Sequence, residues 1–541
     1  MKLGLIEDMH RIDKEAAETY SLPETLLMEN AGRRAAEVTE EMLGGVKGKS
    51  LCVVAGSGNN GGDAMSAARH LAGKGARIRV FLAGEHAHLK PSAATMYTIL
   101  ERMGMELHEL NGDRDWDRFH MALKFSDGVV DGILGTGAVG ELRKKTLKLI
   151  EEINLSEKPV MAIDIPSGVA ADTGAVQTMA VKAAATLSLG LLKPGQLLSP
   201  GAEHVGRLVV DSIGLPHQLL DSDKLSLQTL DKELAASLLP ERPRNVHKGN
   251  LGHILIVAGS QGMTGAAIMA ARAAMRTGAG LVTLAVPASQ QPVVASQVQE
   301  IMTYPLPETE AGHLGGEDAL QMVLTLANKA DVLLMGPGLG RAVETMELVR
   351  QVSTRTPCRL VLDADALFAF ARLPEVLAEC KERPILTPHL GEMARLMGVE
   401  TEILRGSLVP AARKLAKGCK AVVAAKSECT LLAYPEGEVF FSRLGNQGMA
   451  TAGAGDVLAG TIAGLVSQTE IDFMPLLGTY LHGRAGDLAY EELGEGLLAG
   501  DIIERLPKAR QELLKWRQEK GIKDIERRLF SKGIDNVTFL A

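Results

Sequence analysis

Aromatic residues are scarce in this chain: 2 Trp, 6 Tyr and 10 Phe make up 3% of 541 residues. A core built on stacked rings, or an aromatic platform for single-stranded nucleic acid, is thinly supplied. Positive charge is not in excess either, since 58 Lys and Arg face 66 Asp and Glu for a net charge of -8. That excludes a broad basic footprint for nucleic acid, while leaving room for short basic loops around phosphate. The five cysteines, Cys52, Cys358, Cys380, Cys419 and Cys429, are odd in number and never fall in CxxC spacing. Neither a disulfide framework nor a zinc site follows from them. The best apolar stretch, 457–466, is too short to span a bilayer, and MKLGLIEDMHRIDKEAAE carries early acids with no apolar core of a secretory signal. No membrane partner is expected, and a reducing cytoplasm is the expected compartment.

Glycine and small aliphatics are what the chain has instead, with 58 Gly and 46% hydrophobic residues. That is the composition of an α/β protein with many tight turns. Its length is more than one ordinary core fills, so two large domains or three smaller ones are expected. Residues 51–84 read as strand, Gly-rich loop, helix and strand, with further apolar strands at 128–134, 159–163 and 208–210. Around 216–232 the pattern dissolves into polar residues. It restarts after RPRNVHKGN with HILIVAGSQGMTGAAIMAARAAMRTGAGLVTLAVP at 253–287, and strands follow at 332–335, 359–362 and 421–425. Alternating units of this kind predict two α/β domains, each a mostly parallel sheet flanked by helices. We place them at 1–220 and 233–510, joined by a linker at 221–232. A heavily charged surface helix and tail at 511–541 is expected to be solvated.

In open parallel sheets, ligands collect outside the carboxyl ends of the strands. GSGNNGGD at 56–63 sits there, with four glycines for close backbone approach and Asn59 and Asn60 to ligate a cation or bind phosphate. A GxG start would suit a dinucleotide fold, but no acidic ribose ligand follows the strand at Val80 and Phe81, so a standard Rossmann dehydrogenase is rejected. DGILGTG at 131–137 and DIPSG at 164–168 each put an aspartate at the end of a buried strand before a loop of small residues. Such carboxylates serve as general acid or base, or hold a hard cation. Lys193, in GLLKPG, either faces the same pocket or lies on the surface.

The most informative run is NQGMATAGAGDVLAG at 446–460, where Asp456 follows a Gly-Ala-Gly turn and opens an apolar helix. Backbone N–H groups of such a turn, with the positive end of the helix, cradle phosphate oxygens. An acid in an anion site suits the task of orienting or deprotonating a substrate hydroxyl beside the phosphates. Read blandly, the same run is a Gly C-cap followed by an Asp N-cap. Asp363, in DADAL, is either a metal contact or a cap, and Met263, Met269 and Met275 at helical spacing are core or pocket lining.

AGAGDVLAG resembles the anion-hole motif of the ribokinase-like superfamily, in which the aspartate is the catalytic base. GNNGGD, the GTG loop and DIPSG together resemble the N-terminal domain of the YjeF family, the Rossmann-like epimerase of hydrated nicotinamide dinucleotides. That resemblance implies Asp164 as acid/base and Asn60, Asp131 and Ser167 as ligands of K+. It also implies substrate contacts at Asn59, Asn60, Gly61, Gly62, Asp63, Gly135, Thr136, Gly137, Ala138, Val139, Gly140 and Glu141. The residue after GNNGGD is Ala64, where that family often has glycine, so a slightly narrowed pocket is expected.

AGSQGMTGAA, GPGLG, DADAL, TPHLGEMARL, AAKSECT and the GAGD run, in that order, resemble the ADP- or ATP-dependent NAD(P)H-hydrate dehydratases, which are ribokinase-like. This implies Asp456 as catalytic residue, with substrate contacts at Ala266, Gly338 and His389. The implied nucleotide contacts are Lys426, Ser427, Glu428, Cys429, Thr430, Asn446, Gly453, Ala454 and Gly455. ADP or ATP would be co-substrate with Mg2+, acting on hydrated NADH and NADPH, and a homo-oligomer is expected. The alternative is a ribokinase-like vitamin-precursor kinase, which leaves the first domain unexplained.

Overall fold

A computed structural model describes residues 1–522 apart from 138, 139, 241 and 243. The chain forms two compact units, one spanning Lys2–Leu227 and the other running from Gln228 onward.

In the first unit, seven strands of the described residues lie in the spatial order Glu106–Glu109, Arg77–Leu82, Ser50–Ala55, Gly128–Gly132, Val160–Ile163, Ala185–Leu189 and Arg207–Asp211. Every pairing is parallel. Chain order reverses between Ser50–Ala55 and Gly128–Gly132, which makes their shared carboxyl end the natural ligand crevice of a doubly wound sheet. Both central strands are buried throughout beyond Ser50, as their unbroken apolar runs require. The strands at Glu106–Glu109 and Ala185–Leu189 did not stand out in the sequence. The first carries two glutamates and a histidine on an edge, and the second reads as a weak ATLSL run.

The second unit carries a mixed sheet whose strands run Val439–Ser442, Thr430–Ala433, Val422–Ala425, Ile385–Leu386, Arg359–Leu362, Val332–Met335, His253–Val257, Leu281–Pro287 and Met302–Leu306. Seven of these are parallel, and the hairpin Thr430–Ala433 and Val439–Ser442 adds two antiparallel strands that the sequence reading did not foresee. On one face, helix Ala454–Val466 nests against helix Thr264–Thr277. A Cβ at Gly460 would stand 2.1 Å from the Ala270 carbonyl oxygen, and one at Gly464 would stand 2.8 Å from that of Ala274. Gly and Ala at helical spacing thus let two backbones touch, and that contact fixes where the GAGD turn points.

The boundary expected at 510 falls inside a helix. Residues Ala499–Lys520 form one continuous helix whose Leu506, Ala509 and Leu513 are each 1% exposed in the core. Buried Arg517 donates from Nη1 to the Leu239 carbonyl at 2.6 Å. The abundance of charge hid an apolar stripe at i, i+3 and i+7, because long Lys and Arg stems cover the flanks of such a stripe while their heads stay wet. The expected tail beyond 522 lies outside the described residues. Among the described residues, no helix is long and apolar enough to cross a membrane.

Leu513→Ala is expected to destabilise the second unit by about 2–5 kcal/mol, read as a lowered midpoint in chemical denaturation. Replacing exposed Lys515 by alanine should leave the midpoint within about 0.5 kcal/mol.

Candidate functional site

In the first unit, the loops after four adjacent parallel strands converge on a cavity of about 760 Å³. Asn59, Asn60, Asp63, Gly135, Thr136, Gly137 and Asp164 all border it, and so does Lys193. Close approach explains the glycines, since a Cβ at Gly61 would lie 1.9 Å from the Gly56 carbonyl oxygen. Gly62 faces Met28 rather than the cavity, and the Ala64 methyl sits under the sheet against Gly132, so the expected narrowing does not occur. Gly140 and Glu141 are exposed and outside the lining, while Ala138 and Val139 fall outside the described residues.

Asp164 adopts φ +65, a left-handed conformation that an aspartate holds only under constraint. The constraint is visible: Gln196 Nε2 donates to the Asp164 carbonyl at 2.6 Å, and the buried Lys193 ammonium is ion-paired with Oδ1. Lys193 is 1% exposed and also donates to the Leu189 carbonyl at 2.8 Å, which settles its position in the pocket wall. Asp131 and Ser167 lie just beneath, fully buried. Ser167 donates to Asp131 from Oγ at 2.7 Å and from its backbone N–H at 2.9 Å. Burial raises the Asp131 carboxyl above its ordinary value, against these donors. Asn60 donates from Nδ2 to the Leu134 carbonyl at 2.8 Å, and its buried Oδ1 has no partner.

Carboxylates crowd this cavity. Burial, reinforced by Asp164, pushes Asp13 up to about 6, and burial with the Asp164 charge holds Asp63 well above the carboxylate range. Asp13 comes from helix Ile6–Tyr20, where a sequence reader sees only one more acid on a polar face.

In the second unit, the functional groups again sit at the ends of adjacent parallel strands. Asp363 follows Arg359–Leu362, TPHLGE follows Ile385–Leu386 and Lys426 follows Val422–Ala425. Asp363 is neither exposed nor a cap through its side chain: its Oδ1 accepts from Thr387 Oγ1 and from Lys426 Nζ, both at 2.7 Å. Glu392 Oε2 stands 3.9 Å from the same ammonium. Burial alone would lower the Lys426 pKa, but the Asp363 and Glu392 charges outweigh it and hold the ammonium protonated.

Asp456 is the third residue of helix Ala454–Val466, not its N-cap, and its carboxyl makes no hydrogen bond or ion pair among the described residues. Burial and the neighbouring Asp363 charge push it up to about 7, with Lys426 pulling the other way. The ammonium lies close by, 3.3 Å from where a Cβ of Gly455 would stand. His482, unremarked in the sequence, donates from Nε2 to the Ala454 carbonyl at 2.9 Å, and burial lowers it to about 4, so it is a neutral clamp on this turn.

His389 caps helix Leu390–Met397, its Nδ1 accepting from Gly391 N at 3.0 Å and Glu392 N at 3.3 Å. Nε2 stands 3.4 Å from Glu392 Oε1, with the imidazole more than half exposed. Ala266 and Gly338 adjoin, 3.2 Å apart when a Cβ is built on the glycine. In the 426–430 turn, Ser427 Oγ donates to the Cys429 carbonyl at 2.7 Å and Glu428 is exposed. Cys429 is buried, and burial pushes its thiol up to about 12. The Asn446 side chain is spent internally, on Gly448 N at 3.1 Å and Asp487 Oδ1 at 3.0 Å.

Residues 254–508 match the NAD(P)H-hydrate dehydratase family and residues 24–195 match the YjeF-related protein N-terminus. The bifunctional NAD(P)H-hydrate repair enzyme of Moorella thermoacetica is 41% identical over 510 residues, covering 94% of this chain and 96% of that protein. The chain belongs to the bifunctional NAD(P)H-hydrate repair enzymes. The enzyme of that name from Thermofilum pendens is 38% identical, with 94% and 96% covered. A solved ADP/ATP-dependent NAD(P)H-hydrate dehydratase from Bacillus subtilis is similar to the second half, at 28% identity, 53% of this chain, 98% of that chain and a TM-score of 0.45. Membership of a two-domain repair family accounts for the sites in both units, which the single-kinase alternative does not.

Gly453 holds φ +91, and a Cβ there would meet Met269 Cε at 2.4 Å. Gly453→Ala in this repair-enzyme chain should therefore cost about 1–3 kcal/mol of stability in the second unit. Its nucleotide-dependent activity should fall while the chemistry of the first unit persists, as separate assays of the two would record.

Proposed function

We propose that the chain restores hydrated NADH and NADPH, the first unit interconverting the two C6 epimers through Asp164 and the second dehydrating one of them through Asp456. The observation that carries this reading is the state of Asp456: a partnerless carboxyl raised to about 7, beside a lysine already tied to another acid. A base poised near working pH is what proton abstraction from a hydroxyl calls for.

Hydration across the 5,6 double bond leaves a hydroxyl at C6, and hydroxide is a poor leaving group. In the proposed step the C6 oxygen attacks the terminal phosphorus of ADP or ATP, its proton passes to Asp456, and the bond to the bridging oxygen breaks to release AMP or ADP. The phosphate ester then departs with the C6–O electron pair as C5 loses a proton, restoring the double bond. Lys426 and the N–H groups of Gly453 and Gly455 face the charge that builds on the transferring group. Mg2+ would supply positive charge to offset the charge of the phosphates. Glu392 and Asp363 are the acids near enough to hold it, directly or through water.

Lys193 and Gln196 fix Asp164 with one carboxylate oxygen committed to the ammonium, leaving the other for substrate. K+ fits beside it: Asn60 Oδ1 is a buried oxygen without a donor, which a cation lacking geometric demands satisfies. Asp131 and Ser167, bonded to one another, are the further residues that would hold the ion.

Asp456→Asn should lower the dehydration rate by about 10²–10⁴-fold and leave epimerisation intact, while Asp164→Asn should do the reverse. Epimer-mixed NADPH hydrate with Mg2+ and ADP or ATP, followed by reduced-nicotinamide absorbance, reads both. Retained dehydration in Asp456→Asn refutes the reading. Because the base works ionised, dehydration kcat/KM should climb as pH rises through about 7 and then level off.

A further inference from the structure

Inversion at C6 makes a demand that one carboxylate does not meet. C6 of the hydrated ring bears both the hydroxyl and ring nitrogen N1. Its configuration is lost when an acid protonates the hydroxyl, water leaves with the C6–O electron pair, and the N1 lone pair closes a planar C6=N1 iminium. Water then adds to the opposite face, the C6=N1 pair returns to N1, and a base takes the proton from the added oxygen. One proton is delivered on one face and one is removed on the other. A single side chain with one oxygen held by Lys193 reaches one face.

Two acids of different standing border the same cavity and answer that demand. Asp164 is ion-paired with Lys193, whereas the Asp13 carboxyl makes no hydrogen bond or ion pair among the described residues. Asp13 projects from helix Ile6–Tyr20, which precedes the matched family region 24–195 and walls the cavity with Met9 and His10. It is open to solvent through the cavity, yet shielded enough for burial to raise it. The charges facing it are Asp164, Glu24 and Asp63, which favour its protonated form, and Lys193 and His10, which oppose it. Asp63 is the other unpaired acid, but it is buried in the first turns of helix Asn59–Gly73, where burial raises it well above the carboxylate range.

We propose that Asp13 is the second proton-transferring residue of the epimerase, serving the face of the ring opposite Asp164. The inference rests on the epimerase reading of the first unit. The pair works with one proton between them: Asp13 delivers it while Asp164 takes one from the added water in one direction, and the roles exchange in the other.

The test uses the full-length protein and the separated C6 epimers of NADH hydrate, without nucleotide, following the approach to epimer equilibrium by chromatography. Asp13→Asn should lower epimerisation kcat about 10²–10⁴-fold with KM within threefold, while nucleotide-dependent dehydration stays at the wild-type rate and certifies the fold. Wild-type kcat/KM should fall as pH rises through about 6, where Asp13 gives up its proton, and the residual rate of Asp13→Asn should lack that limb. A wild-type rate in Asp13→Asn, a residual rate that keeps the limb, or a loss expressed in KM alone overturns the proposal. Asp164→Asn separates the two failures: if it too retains epimerisation, the reading of the unit has failed, and if it alone is dead, only the role of Asp13 has.

Discussion

Each half of the chain holds one buried ammonium among several acids, and the chemistry depends on which acid it takes. In the first unit Lys193 is committed to Asp164. In the second, Lys426 is committed to Asp363, with Glu392 close by. A buried ion pair whose partner is removed leaves an uncompensated charge costing about 3–5 kcal/mol, so these pairings are not exchanged lightly. What remains unpaired is decided by subtraction: Asp13 and Asp63 on one side, Asp456 on the other. Burial lifts the pKa of all three.

The two pairings are used in opposite senses. Lys193 holds Asp164 by an ion pair in a left-handed backbone conformation, as suits an acid/base that must aim one oxygen at a carbon of either hand. Lys426 is held away from Asp456 by Asp363, so the base is neither neutralised nor tethered. The ammonium remains available to phosphate oxygens beside Gly455.

Much of this arrangement was legible in the residues. Unbroken apolar runs ending in Gly, Asp or Lys gave the parallel strands and their order along the chain, because a strand buried on both faces has no choice of composition. The strand-end motifs then converged, since parallel strands bring their carboxyl ends to one side. What stayed hidden shares a cause: side chains whose meaning comes from a distant partner. His482 in the middle of helix Met474–Leu493 and Arg517 in a charged run look solvated until tertiary packing desolvates them, and Asp13 looks like one more surface acid until the cavity it borders is seen. His389 shows the same limit in a subtler way. Its Nδ1 is used as a helix cap and its Nε2 stands 3.4 Å from Glu392 Oε1, so both ring nitrogens already have a neighbour within their own motif.

The small-residue contact between helices Ala454–Val466 and Thr264–Thr277 explains why glycine and alanine dominate the second unit more than turns alone require. The helix N-terminus must carry phosphate, so its dipole has to stay fixed while charge moves on the transferring group. Long side chains between two helices would allow rocking about the contact, whereas backbone laid on backbone at Gly460 and Gly464 leaves little play. His482 clamps the Ala454 carbonyl from a third helix, and it does so as a neutral donor because burial keeps a proton off its other nitrogen. A charged imidazolium there would compete with Lys426 for the same phosphate oxygens and drag the Asp456 carboxyl back toward its ordinary ionised range. Rigidity and neutrality at this turn are therefore one requirement: the base keeps its raised pKa only while nothing positive comes closer to it than Lys426.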